Sequence, residues 1–139
     1  MDFDDFAYIG DGMFHPRALL WKNEDKTVHG YNPFNETTYV IDDEEIGDIR
    51  QKYHAAVSKF HMEDQIGVLV TTKPGQMMLQ RALDLEDEYP DKKFYYMIDN
   101  TIDFDMLDDF NFIDCWVNTA CPRISFEDSI KMEAPVVNL

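Results

Sequence analysis

From residue 43 onward the chain predicts an α/β fold: a three-layer sandwich on a mainly parallel four-stranded sheet. Three observations carry that prediction. Short apolar runs of strand length alternate with stretches whose apolar residues recur at helical spacing. The runs are rich in Val, Ile and aromatic residues and are bounded by Pro, Gly, Asn and Asp, as strands are. The alternation of helix and strand, repeated to the end of the chain, implies parallel strands joined by right-handed crossovers that cover both faces.

The elements follow in order. Phe6 to Ile9 reads as a short strand, running into Gly10-Asp11-Gly12-Met13-Phe14-His15-Pro16. Two glycines around an aspartate permit a tight turn, and Pro16 suits the first turn of a short helix through Leu20. Thr27 to Tyr31 and Thr37 to Ile41 are extended pieces separated by Asn32-Pro33-Phe34-Asn35. Residues 1–42 therefore differ from the rest, and predict an N-terminal remnant of a preceding α/β domain. Residues 43–139 are predicted as a further α/β domain.

Asp42 and Asp43 open a long helix with its acids where the helix dipole favours them. Ile46, Ile49, Tyr53, Val57 and Phe60 give it one buried face. Ile66 to Val70 is a strand, followed by the loop Thr71-Thr72-Lys73-Pro74-Gly75-Gln76 and a helix through Leu85. Phe94 to Ile98 is the next strand, with Asp99-Asn100 as its turn. A short helix is predicted over Phe104 to Phe110. The apolar run Phe112 to Val117 reads as a buried strand, then come a last helix over Phe126 to Lys131 and an extended Pro135-Val136-Val137.

Composition narrows the function classes. Hydrophobic content of 45% in 139 residues is ample for a core. A net charge of −16 argues against nucleic acid as a direct partner, because phosphate backbones require clustered Lys and Arg. The same charge repels acidic neighbours, complements a basic protein surface, or simply keeps the chain soluble. Two cysteines exclude a disulfide framework and suit a reducing cytoplasm. No apolar run approaches the length that crosses a bilayer, and the acidic start is the opposite of a secretory signal. The expected location is cytoplasmic, with no membrane partner.

Chemistry is expected in the loops. Cys115 lies inside a strand pattern and reads as a small core hydrophobe. Cys121 lies in the turn Asn118-Thr119-Ala120-Cys121-Pro122-Arg123-Ile124-Ser125, where Pro122 stiffens the backbone and Arg123 favours a thiolate. The loops Thr71–Gln76, Asp99–Thr101 and Asn118–Ser125 fall at one edge of the predicted parallel sheet and can converge on one crevice. Gly75 and Gln76 are expected to open a helix, where backbone N–H groups favour an anion; the alternative is an ordinary strand-to-helix turn. No Walker A loop, GxGxxG fingerprint or nucleophile elbow is present. His54 and His61 share roughly one helix face, a weak metal signal without a third ligand. His15 reads most simply as a local cap.

Five segments occur in a recognisable order: Gly10-Asp11-Gly12-Met13-Phe14-His15-Pro16, Tyr31-Asn32-Pro33-Phe34, Thr72-Lys73-Pro74-Gly75-Gln76, Asp99-Asn100-Thr101-Ile102 and Asn118-Thr119-Ala120-Cys121-Pro122-Arg123-Ile124. Together they resemble the carboxyl-terminal part of the diphthamide synthase family, the 2-(3-amino-3-carboxypropyl)histidine synthases. The resemblance runs from about Phe6 to Val137. It implies three similar α/β domains, each lending one cysteine to a 4Fe-4S cluster that binds S-adenosylmethionine. The fragment transferred by a non-standard radical route goes to a histidine of translation elongation factor 2, in the first step of diphthamide formation.

By the same resemblance Cys121 is the third domain's cluster ligand, and residues 1–42 are the trailing part of the second domain. Gln76, Gly75 and Arg123 become candidates for the carboxylate of S-adenosylmethionine. One departure matters: the first domain and two further cysteines are absent from this chain. The expectation is therefore an enzyme part that is inactive alone and needs a missing half or sister subunit. The alternative is a non-catalytic module that binds a sister subunit or the elongation factor.

Overall fold

The computed structural model describes residues 4–75, 78–120 and 134–138. The chain divides into two compact units, Met1–Gln51 and Lys52–Leu139, and the division falls inside the long helix that begins at Asp43.

The first unit contains β1 (Phe6–Ile9), α1 (Phe14–Trp21), β2 (Val28–Asn32), β3 (Thr37–Ile41) and the start of α2 (Asp43–Met62). β1 pairs parallel with β2, and β2 pairs antiparallel with β3. The turn out of β1 passes through Gly12 at φ +76°, a left-handed conformation that glycine adopts without strain. Pro16 is the third residue of α1, where its missing N–H would have had no partner in the helix. Leu20, Val28, Ile41 and Ile46 form the core of this unit. Only one sheet face is built on that core. The other carries Ala7, Ile9, His29, Tyr31, Thr38 and Val40, with Ile9 76% and Val40 60% exposed.

The second unit continues α2 into β4 (Gln65–Thr71), α3 (Leu79–Glu88), β5 (Lys93–Asp99), β6 (Cys115–Asn118) and β7 (Val136–Asn138). All pairings are parallel and the order is β5-β4-β6-β7, as the helix–strand alternation requires. Alternation along β4 divides the packing. Ile66, Val68 and Val70 meet Ala56 and Phe60 of α2 and Ala82 and Leu85 of α3. Leu69 joins Leu107, Ile113, Trp116 and Val136 in a second cluster. α2 thus supplies Ile46 to one core and Ala56 and Phe60 to the other, which is why its apolar period runs unbroken through the division.

Two predicted elements are shorter than expected. The helix over Phe104 to Phe110 reduces to one 3-10 turn, Leu107–Asp109. Its bonds close at three residues, from the N–H of Leu107 to the carbonyl of Phe104 and from that of Phe110 to Leu107, so the segment winds as 3-10 turns and not as an α-helix. The run from Phe112 becomes a strand only at Cys115, because the N–H of Ile113 closes a turn on the carbonyl of Phe110 at 2.9 Å. The helix predicted over Phe126 to Lys131 lies outside the described residues.

Candidate site at the carboxyl ends of the parallel strands

The direction of the connections locates the site. From β4 the chain moves to one edge of the sheet, β5, and from β6 it moves to the other, β7. Such a reversal leaves a crevice beyond the carboxyl ends of β4 and β6, the usual ligand position in an open α/β sheet. Register places the expected loops together there: Thr71 is paired with Asp99, Leu69 with Asn118, and Asn118 with Asn138.

Burial marks the same spot. The buried polar residues among those described are Thr71, Asn118 and Thr119, and all three lie at this edge. Each is satisfied, as buried polar groups must be. Thr119 gives both its N–H (3.1 Å) and its hydroxyl (2.8 Å) to the carbonyl of Leu69, tying the exit of β6 to β4. Asn118 accepts the N–H of Ala120 at 3.0 Å and donates its amide to Oδ1 of Asn138 at 2.6 Å. Thr71 accepts the N–H of Lys73 at 3.2 Å, and the N–H of Thr72 bonds the carbonyl of Asp99 at 3.0 Å. Asp99 closes its own turn by accepting from Thr101 at 3.3 Å.

Of the expected binding residues, Gly75 is described: it is exposed in a turn at φ +78°. α3 begins at Leu79, so Gly75 stands four residues ahead of the helix and does not open it. The correction follows from that positive φ, which is incompatible with a right-handed helical start. Gln76, Cys121 and Arg123 lie outside the described residues; Ala120, at the exit of β6, immediately precedes Cys121 in the chain.

Cys115 behaves as the sequence reading has it. Its side chain is fully buried and its thiol points at the carbonyl of Ala56 at 3.8 Å. Burial pushes the thiol up from 9.0 to about 12, with Lys59 pulling weakly the other way. A thiol held neutral in an apolar core is a poor nucleophile and a poor metal ligand. Alkylation at neutral pH is therefore expected to leave Cys115 unlabelled until the fold opens, which peptide mapping checks. The sign for stability follows. The native state holds the proton more tightly than the unfolded chain, so the contribution is intact below pH 9 and is lost as pH rises toward about 12. Tyr96, also raised to about 12 by burial and its bond to Glu86, acts in the same direction above pH 10. Chemical denaturation midpoints should fall with pH above 9, and a Cys115→Ser variant should shift that dependence.

Metal donors are few. The sequence has two cysteines, and among the described residues no group of three His, Cys, Asp or Glu could hold a metal ion. Cys115 is committed to the core, and Cys121 is the other cysteine of the sequence. Asn138 was not foreseen, although its strand Val136-Val137-Asn138 ends in the same Val-Asn pair as Trp116-Val117-Asn118. That repeat, paired residue for residue across β6 and β7, was the available signal. No helix among the described residues is long and apolar enough to cross a membrane.

Comparison with known proteins fits this architecture. A 2-(3-amino-3-carboxypropyl)histidine synthase from Methanocaldococcus jannaschii is 32% identical over 138 residues, covering 96% of this chain and 39% of that protein. Subunit 1 of the Schizosaccharomyces pombe synthase is 28% identical, covering 96% of this chain and 31% of its own length. The chain therefore spans about a third of the length of these relatives. Among solved structures, Dph2 from Pyrococcus horikoshii with a 4Fe-4S cluster matches with a TM-score of 0.71 and 26% identity, over 95% of this chain and 38% of that one. A profile of the diphthamide synthesis proteins matches residues 1–139 in full, and the chain belongs to that family.

Proposed function

We propose that this chain is the carboxyl-terminal part of a 2-(3-amino-3-carboxypropyl)histidine synthase and works only when the rest of the enzyme is assembled with it. The supporting observation is the chain reversal between β4 and β6: the buried polar residues Thr71, Asn118 and Thr119 lie at its carboxyl edge, where Ala120, the residue before Cys121, also stands. On this reading Cys121 is one ligand of a shared 4Fe-4S cluster, and the remaining cysteines come from a missing N-terminal half or sister subunit. Such a cluster, when bound, supplies the electron that cleaves a carbon–sulfur bond of S-adenosylmethionine. The chain's own part is to bind and orient. Gly75 and Gln76 offer backbone amides, and Arg123 a guanidinium fork, to the carboxylate of S-adenosylmethionine. The acceptor is a histidine of translation elongation factor 2, and the setting is the cytoplasm. Residues 1–42 act as the trailing part of a second domain and 43–139 as the third; the exposed Ile9, Tyr31 and Val40 on one face of β1–β3 favour this, because apolar side chains exposed together mark an interaction surface.

A second reading, a non-catalytic module that docks on a sister subunit or the elongation factor, has one observation in its favour. Between Phe94 and Pro122 there is no Lys, Arg or His, while Asp99, Asp103, Asp105, Asp108, Asp109 and Asp114 all lie there. Met106 and Phe112 stand exposed among them, a combination that suits a basic protein surface.

The separating experiment is anaerobic assembly of the chain with the remaining portion of a family synthase, followed by iron and acid-labile sulfide analysis. The enzyme reading expects a cluster in the assembly and little iron in either part alone. A remaining portion that holds its full iron without this chain, yet still binds the chain stably, sinks it and favours the docking module.

A further inference from the structure

We propose that Asn118 is a positioning residue: its side-chain amide, clamped to Asn138, fixes the backbone from which the Cys121 loop departs. The inference rests on the reading that Cys121 holds iron, and adds to it the device that aims the ligand.

The geometry is specific. Asn118 is the last residue of β6 and 2% exposed, a place where an apolar side chain would suit the sheet better. Its oxygen must face the N–H of Ala120, which leaves its nitrogen to donate to Asn138 on β7. One side chain thus joins the end of β7 to the residue that precedes Cys121. Thr119 makes the complementary tie to β4 through the carbonyl of Leu69. The exit of β6 is held from both neighbouring strands, two residues before the cysteine.

Such a hold has a chemical purpose. A cluster bridging cysteines from separate domains forms only if each thiolate arrives in position, and a loop without a fixed root would lose entropy at every assembly. Partners that orient a ligand typically alter metal affinity or activity by about 10- to 100-fold when removed.

The test uses the assembled synthase containing this chain, with two readouts besides product: the rate of iron release to a chelator and the electron paramagnetic resonance spectrum of the reduced cluster. Asn118→Ala is expected to release iron about 10-fold faster and to shift the spectrum. Asn118→Asp keeps the acceptor for Ala120 but loses the donor to Asn138, and is expected to fall between wild type and Asn118→Ala. Val68→Ala, which opens a cavity on the opposite sheet face, should lower the melting temperature and leave the spectrum unchanged. Should Asn118→Ala fail to fold, Asn138→Ala removes only the far partner and should move release and spectrum in the same direction. Wild-type release and spectrum in the folded Asn118→Ala and Asn138→Ala variants would overturn the proposal, as would an equal spectral change in Val68→Ala. If Cys121→Ala keeps its iron, the cluster reading itself falls. If Cys121→Ala loses iron while Asn118→Ala does not, only the positioning role falls.

Discussion

Changing Cys121 to alanine is expected to abolish aminocarboxypropyl transfer by the assembled synthase and to strip most of its iron. The expectation comes from counting donors. Of the two cysteines, Cys115 is sealed in the core with its thiol pushed up to about 12, so it cannot move in as a substitute ligand. Water or a buffer thiol would be a weaker ligand to a cluster that depends on cysteine thiolates. Cys121→Ser separates ligation from packing: it keeps the size and supplies an oxygen donor, so residual iron with an altered spectrum should persist where alanine retains little. The assembly with the partner portion should survive both changes, because the surfaces that would bury the open face of β1–β3 are untouched. Product from the alanine variant at the wild-type rate would remove the enzyme reading and leave the docking module.

How much of this was legible beforehand differs by scale. The order of elements was readable because burial imposes period: Ile66, Val68 and Val70 face one core and Leu69 the other, and a fully buried parallel strand reads as a continuous apolar run. The convergence of three loops at one edge followed from parallel topology alone. Local competition was not readable from period. The three-residue bonds between Phe104 and Phe110 and the left-handed turn at Gly75 both departed from helical patterns that looked sufficient in one dimension. The amide pair across β6 and β7 was out of reach for another reason: strand register is a long-range fact, and Asn118 and Asn138 become neighbours only once both strands are docked in parallel.

Gly67→Ala is expected to destabilise the second unit by about 1–3 kcal/mol, and Gly67→Val to prevent it from folding stably. Gly67 lies in the central strand β4, paired in register with Trp116. A Cβ there would run into Cε3 and Cζ3 of that indole, closer than real contacts allow. The ring has nowhere to retreat, since Trp116 is enclosed with Leu69, Leu107, Ile113 and Val136 and meets Phe110 edge-on with centroids 6.3 Å apart. The opposing gain, the smaller unfolded-state entropy of alanine, is worth only about 0.4–1 kcal/mol, so the clash wins. A double-variant cycle makes the cause testable: Trp116→Phe shortens the ring and should recover part of the Gly67→Ala cost, a coupling that independent sites would not show. An unchanged urea midpoint in Gly67→Ala would mean that the indole is not held against β4. The consequence reaches the site, because Trp116 stands two residues before Asn118 on the same strand. The bare glycine gives the indole its place over β4, and so helps to seat the strand that ends at Asn118.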